Sequence, residues 1–319
     1  MAGIKDVARL AGVSVATVSR VLNNHPYVKQ EKVEAVKRAI AETGYIQNIN
    51  AINLKKGKTN LVGVVLPFLD HPYFSQLIQG IFQAAFIHRY KLVLYQTGYH
   101  EGQEMEALEM LKLKQIDSLV ICSRQVSLDV IEGYREYGNI VLFENGENTP
   151  LSYTFVDHYA CFMNALNYLY DRGHREIGFC INRTDGSNSR QREQAYRDFL
   201  ETKGLSYQEK YIVKDCVYLE DGERVLKELS NLKRRPTAML ATSDQVAAGI
   251  IIASPQYGIT IPDDLAIIGF DNHPIAKALN ITTVGVPLNS IGQLLFEQTL
   301  SEDLSHKEVP VELIQRLTV

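Results

Sequence analysis

The sequence predicts an α/β protein with a small all-α head and a larger body built as two doubly wound halves. Three observations carry that prediction. Residues 6–23, DVARLAGVSVATVSRVLN, hold two short helical patterns around a glycine. From Leu61 onward, continuous apolar runs alternate with amphipathic stretches, the pattern of parallel strands covered by helices on both faces. Charge divides the chain at the same place: residues 1–60 carry ten Lys and Arg against four Asp and Glu, while the rest carry 23 against 33.

In the head, Val7, Ala8, Leu10 and Ala11 form an apolar stripe, and Gly12 can take the left-handed conformation that ends a helix. Ser14 suits the N-cap of a second helix beginning at Val15. Val18, Val21 and Leu22 make its buried side, leaving Val15, Ala16, Thr17, Ser19 and Arg20 outward. Small residues permit close approach, hydroxyls can bond phosphate oxygens, and an arginine can fork onto a guanine edge. That is the arrangement of a helix-turn-helix reading a DNA major groove; the plainer alternative is a helical hairpin with a small polar face. A third helix is predicted from about Gln30 to Thr43, with Val33, Val36 and Ile40 closing a core against Val7, Val18 and Val21. Gly44 stops it, and Tyr45 and Ile46 are expected to cap the core.

Residues 47–60, QNINAINLKKGKTN, join head to body. Asn48 can cap a two-turn helix to about Lys55, with Ala51, Ile52 and Leu54 as its apolar members. So short a helix is unstable alone. It reads either as a basic linker or as a hinge that folds only on DNA beside a second copy of itself.

Through the body, strands are predicted at 61–67, 91–97, 118–123, 139–143, 176–181, near Tyr211, 237–242 and 265–270. Helices fall at 72–89, 101–115, 127–137, 158–172, 189–203, 221–232 and 244–257. Ligands of doubly wound sheets bind beyond the strands' carboxyl ends. The residues there are polar: Asp70 and His71, Thr97, Ser123 and Arg124, Ser243 and Asp244, Asp271 and Asn272. With Tyr73 and Phe74 they suit a polyhydroxylated molecule; each alone is as well read as a loop solvating itself. Glu104, Glu106, Glu109 and Lys112 read as a solvated helix face, and His174 as a structural group at a helix end.

At 45% hydrophobic and 22% charged, the 319 residues suffice for two or three soluble domains. No apolar run approaches a membrane span, and MAGIKDVA lacks a signal-peptide pattern, so no membrane partner and a cytoplasmic location are expected. Cys122, Cys161, Cys180 and Cys216 are scattered without metal-ligand spacing and read as buried free thiols. Gly-x-Ser-x-Gly, Walker A and metal-spaced histidines are missing, so no catalytic residue, metal ligand or cofactor is expected.

The motifs IKDVARLAGVSVATVSRVLN, GYIQNINAINLKKGKTNLVGVVLP, HPYFSQLIQGI, DRGHREIGF, TAMLATSDQVAAG, IPDDLAIIGFDN and VELIQRLTV span nearly the whole chain. Through them the sequence resembles the lactose-repressor (LacI/GalR) family of bacterial transcription regulators. The resemblance implies a head at 1–46, a hinge helix and linker at 47–60, and a periplasmic-binding-protein-like body at 61–319. Within the body it implies an N-subdomain of about 61–158 plus 287–301 and a C-subdomain of about 159–286 plus 302–319. It implies base reading by Val15, Ala16 and Arg20 and phosphate contacts by Thr17 and Ser19. Leu54 matches a leucine that wedges the minor groove, Asn48 and Ala51 match its neighbours, and Lys55 belongs to the same basic stretch. Phe74, Ser123, Asp157, Arg192, Ser243 and Asp271 match effector contacts, with Tyr73, Arg124 and Tyr218 as further candidates. Gln47 replaces a usual proline, Lys29 a capping serine, Ala195 a glycine and Ser243 a common asparagine.

The expected protein is a homodimeric regulator of a carbohydrate-utilisation operon, a repressor or else an activator. It would read a near-palindromic operator and answer to a sugar or oligosaccharide, such as a maltodextrin, held between the subdomains. The rivals are a regulator using a protein co-repressor, as in the family's catabolite-control branch, a sugar-transport receptor and an enzyme.

Overall fold

The computed structural model describes residues 2–46, 57–146 and 148–319. The hinge helix expected around Asn48, Ala51, Leu54 and Lys55 lies outside the described residues. The chain divides into two compact units between Thr59 and Asn60.

Among the described residues the first unit holds three helices: α1 (Ile4–Leu10), α2 (Val15–Leu22) and α3 (Gln30–Thr43). Gly12 takes φ 63° in the turn, and the Ser14 hydroxyl accepts the Thr17 N–H at 3.2 Å, starting α2. Lys29 gives α3 no side-chain cap, and Gly44 ends that helix at φ 59°. Val7, Ala8, Val18, Val21, Val36 and Ala39 form the core, with Val33, Ile40 and Tyr45 packed against it. Ile46 corrects the expectation of a second cap: it is 83% exposed, because only one of the two residues after the left-handed turn reaches the core.

The second unit opens with β1 (Leu61–Leu66), α4 (Pro72–Ile87), β2 (Lys91–Gln96), α5 (Glu101–Lys112) and β3 (Ser118–Ile121). Next come α6 (Leu128–Glu132), β4 (Asn139–Leu142) and β5 (Ser152–Phe155). The chain then crosses into α7 (His158–Asp171), β6 (Ile177–Cys180), α8 (Ser187–Thr202), β7 (Ile212–Val213), α9 (Asp221–Ser230) and β8 (Ala238–Ala241). It continues through α10 (Asp244–Ala253), β9 (Ala266–Phe270), α11 (Pro274–Ala278) and β10 (Thr282–Gly285). It returns as α12 (Leu288–Leu300) and closes with β11 (His306–Glu308) and β12 (Glu312–Ile314).

Among the described residues these strands make two six-stranded sheets, ordered β11-β5-β4-β3-β1-β2 and β12-β10-β9-β8-β6-β7. Pairing is parallel except for β10 with β12. The inner strands β3, β6, β8 and β9 are buried along their whole length, which is why they read as unbroken apolar runs. One apolar cluster joins Leu66, Phe74 and Phe143 of the first half to Phe162, Phe179 and Phe270 of the second.

Two expectations change here. The final segment does not belong wholly to the second half, since His306–Glu308 pairs with β5 in the first sheet and the last crossing falls after Glu308. That strand is exposed and polar, so only its partner reveals it. The helix expected over 127–137 stops at Glu132 and resumes as a 3-10 turn at Arg135–Tyr137.

Candidate functional site

The carboxyl ends of both sheets face one cleft. Each half supplies side chains for a local structural reason. His71 caps α4: its Nδ1 accepts the Tyr73 N–H at 3.3 Å, which sets Tyr73 and Phe74 on the first turn facing the cleft. Nδ1 being an acceptor, Nε2 carries the proton and donates to the Val217 carbonyl at 3.2 Å. Ser123 follows β3, and Ser243 lines the cleft while its hydroxyl caps α10 by accepting the Gln245 N–H at 3.1 Å. Asp271 follows β9 at φ 98°, pinned by its N–H to the Val284 carbonyl at 2.8 Å.

Arg192 projects from α8 over the Phe270 ring, 4.8 Å from its centre. Its Nη2 donates to His158 Nδ1 at 3.2 Å, so that imidazole is neutral, and burial together with Arg192 holds its pKa well below the usual value. The Arg192 Nε is buried without a partner. Burial pushes the Asp271 carboxyl up, the Asp244 carboxylate adds to this, and Arg192 opposes both. Behind Asp271, Asp244 accepts the His273 N–H and the Thr283 hydroxyl, each at 2.7 Å, and fixes the turn that presents Asp271. A buried guanidinium with a spare N–H beside a carboxylate, walled by aromatic rings, can hold adjacent hydroxyls while a ring packs on the C–H faces of a sugar.

Several bonds join the halves across this cleft. The Tyr218 hydroxyl donates to Asp70 at 3.1 Å and Ser187 to Glu144 at 2.9 Å. Arg183 Nη2 reaches Ser123 Oγ and the Arg124 carbonyl, each at 3.4 Å. The structure therefore has the cleft latched.

Of the residues expected at an effector site, Tyr73, Phe74, Ser123, Arg192, Ser243 and Asp271 line this cleft together. Three do not. Asp157 caps α7, accepting the Ala160 N–H at 2.9 Å. Arg124 is ion-paired with Glu144 and donates to the Val126 carbonyl at 3.0 Å. Tyr218 stands beside the lining residue His71, ring centres 5.8 Å apart, and serves the latch. Sequence reasoning misses Arg183, which stacks on Tyr99 at 4.1 Å, together with Glu144 and Ser187. Arg183 follows β6 as Ser123 follows β3, so the strand-end rule applied to every strand finds it. Glu104 corrects the expectation of a solvated face: it is buried and accepts the N–H groups of Gln125 (2.8 Å) and Val126 (2.9 Å), holding the loop after β3. His174 is structural as expected, with Nδ1 3.0 Å from the Thr237 hydroxyl.

In the head, Val15, Ala16 and Arg20 are exposed along α2. Thr17 and Ser19 are half-buried: the Thr17 hydroxyl lies 3.0 Å from that of Ser14, and Asn23 Nδ2 reaches the Ser19 carbonyl at 2.7 Å.

A family model described as "Periplasmic binding proteins and sugar binding domain of LacI family" matches residues 59–314, and one described as "Bacterial regulatory proteins, lacI family" matches residues 3–48. The chain belongs to the lacI family. LacI-family proteins are transcriptional regulators that bind operator DNA, dimerise and take small effectors. Among curated LacI-family relatives, "Uncharacterized HTH-type transcriptional regulator YkvZ" of Bacillus subtilis (strain 168) is 38% identical over 100% of both chains. "Catabolite control protein B" of the same strain is 37% identical over 95% of this chain and 96% of its own. The solved lac repressor dimer bound to operator and the anti-inducer ONPF matches with a TM-score of 0.83 and 22% identity, covering 99% of this chain and 98% of that one, and so shows the same fold. Among the described residues of this LacI-family chain, no helix is long and apolar enough to cross a membrane.

Proposed function

We propose that this protein is a cytoplasmic, homodimeric repressor of a carbohydrate-utilisation operon whose grip on a near-palindromic operator is set by a sugar held between the body's two halves. The observation that carries this reading is Arg192 beside Asp271, opposite Tyr73 and Phe74, in a cleft latched from both sides. A neutral polyol uses both members of that pair, the guanidinium as donor and the carboxylate as acceptor. Dimerisation is supported by exposed apolar side chains on neighbouring elements: Phe82, Phe86 and Ile87 on α4 and Leu94 on β2. Operator reading falls to Val15, Ala16 and Arg20, with Thr17 and Ser19 on phosphates. Asn48, Ala51, Leu54 and Lys55 serve the central minor groove. Sugar binding shifts the halves and, through the linker, the spacing of two heads; coupling of about 1–3 kcal/mol is typical of such systems.

The test selects duplexes from a random library with the full-length protein, then titrates mono- and oligosaccharides against the selected duplex. One sugar should change operator affinity by about 5–150-fold and raise the melting temperature, and Arg192→Ala should abolish both effects. Equal binding of selected and random duplexes removes the regulator reading; no response to any sugar removes the sugar. The similarity to a protein named for catabolite control supports one competing reading, a protein co-repressor docked on the body. In that case a cell extract, and no sugar alone, would alter operator affinity.

A further inference from the structure

The four thiols of this chain are all buried, yet they are not equivalent. β6 and β7 run parallel with Cys180 opposite Val213. After β7 the chain doubles back at Asp215, φ 58°, whose N–H donates to the Asn182 carbonyl at 3.0 Å. The Cys216 N–H then donates to the Ile181 carbonyl at 3.1 Å, so Cys216 sits beside the strand position next to Cys180. Both thiols lie in one buried cluster, and the Cys216 thiol reaches the Val213 and Lys214 carbonyls at 3.6 and 3.5 Å. Arg224 Nη2 donates to Cys216 Sγ at 3.5 Å and to the Lys214 and Asp215 carbonyls at 3.0 and 2.8 Å. Cys216 also lines the cleft.

The neighbouring Cys180 thiol and the Arg224 guanidinium hold the Cys216 thiol below its ordinary pKa despite burial, whereas burial pushes Cys122 and Cys161 up. Cys216 also anchors one end of a cross-cleft latch. Val217 gives its carbonyl to His71, and Tyr218 bonds Asp70. The N–H groups of both donate to Asp221 Oδ2 at 2.7 and 2.9 Å.

We propose that Cys216 and Cys180 form an oxidation site in the cleft wall, Cys216 reacting with a hydroperoxide and Cys180 resolving it to a disulfide that loosens the latch at Val217 and Tyr218. The Cys216 thiolate attacks one peroxide oxygen, the O–O bond breaks, and Cys216 becomes a sulfenic acid as hydroxide leaves and takes up the thiol's proton to form water. The Cys180 sulfur then attacks the Cys216 sulfur, the S–O bond breaks, and hydroxide departs with the Cys180 proton as a second water. Two electrons pass from the thiols to the peroxide. Bond formation draws the sulfurs to about 2 Å and pulls the Cys216 sulfur from its contact with Arg224. Neither the cross-link nor the loosening of the latch depends on the cleft being the effector site, since mass, alkylation and amide exchange read both directly.

The test exposes the full-length protein to hydrogen peroxide and follows intact mass, differential alkylation and amide exchange. The wild type should lose the mass of two hydrogen atoms, with Cys122 and Cys161 still alkylated, and regain it with dithiothreitol. Amide exchange in 214–220 and 70–74 should rise severalfold on oxidation. Cys180→Ser should stop at a sulfenic acid that dimedone traps on Cys216; should that variant not fold, Cys180→Ala removes the resolving thiol without a buried hydroxyl. Oxidation of Cys122 or Cys161 first, or no dimedone adduct in either variant, overturns the site. A cross-link that leaves exchange at 70–74 unchanged overturns its link to the latch.

Discussion

The Tyr218 hydroxyl donates to the Asp70 carboxylate over 3.1 Å, joining two loops 148 residues apart that belong to different sheets. With His71 to the Val217 carbonyl, it ties the rim of the cleft. Tyr218→Phe removes one exposed hydrogen bond and no packing. Global stability should therefore fall by at most about 0.5–1 kcal/mol, while the closed form loses the same amount selectively. Effector affinity by isothermal titration should drop about two- to fivefold with the unfolding midpoint nearly unchanged; an unaltered affinity means the latch does not report closure.

The Gly80 of α4 and the Gly292 of α12 mark where two helix backbones touch. A Cβ on Gly80 would lie 2.0 Å from the Asn289 carbonyl oxygen, and one on Gly292 would lie 2.2 Å from that of Leu77. Backbone cannot yield as a side-chain tip can. Gly80→Ala should cost about 1–3 kcal/mol in urea unfolding, whereas Gly102→Ala, with nothing within 4 Å, should cost nothing measurable.

Among the described residues six small buried side chains make up the core of the head, so local capping carries weight there. Ser14→Ala removes the acceptor for the Thr17 N–H and should destabilise the head by about 1 kcal/mol. Its thermal transition should fall while the body's stays put.

Arg20 is exposed on the last turn of α2, the helix whose outward face is small and polar. Arg20→Ala should cost about 1–3 kcal/mol at one base pair of the selected duplex and far less on a duplex altered at that pair. A uniform loss on all duplexes would mark a phosphate contact instead.

Burial raises the Asp244 carboxyl from 3.8 to about 7, against the hydrogen bonds from Thr283 and His273. The folded protein therefore holds this proton more tightly than the unfolded chain. The contribution is complete below about pH 4 and is lost as pH rises through about 7. His273, lowered by burial from 6.5 to about 4, works oppositely, its contribution present above 6.5 and lost as pH falls through about 4. Asp244→Asn isolates the two. The urea midpoint of the wild type should decline relative to the variant from about pH 4 to about pH 7, and a constant difference would show that Asp244 stays ionised throughout.

Much of the cleft is legible in the order of residues alone. Tyr73, Phe74, Ser123, Ser243 and Asp271 stand next to strand ends or on the first turn that follows, and strand ends announce themselves through the apolar runs ahead of them. Arg183 obeys the same rule. Asp157 and Arg124 fall outside the cleft for a different reason: position in a motif does not say whether a carboxylate caps its own helix or a guanidinium meets a neighbouring glutamate.

From the sequence came the helix-turn-helix with its Gly12 turn and Ser14 cap, the alternation of strands and helices from Leu61 to Phe270 apart from β5, and the basic head on an acidic body. All are local: periodicity, left-handed glycines and side-chain caps act within a few residues, so a linear string records them. Tertiary structure alone decided that His306–Glu308 joins the first sheet, that Glu104 is buried under the Gln125 loop, and that Tyr218 reaches Asp70. Those contacts span from about twenty to about 150 residues. Their energy depends on two surfaces meeting, and no residue carries a mark of which partner the fold will bring to it.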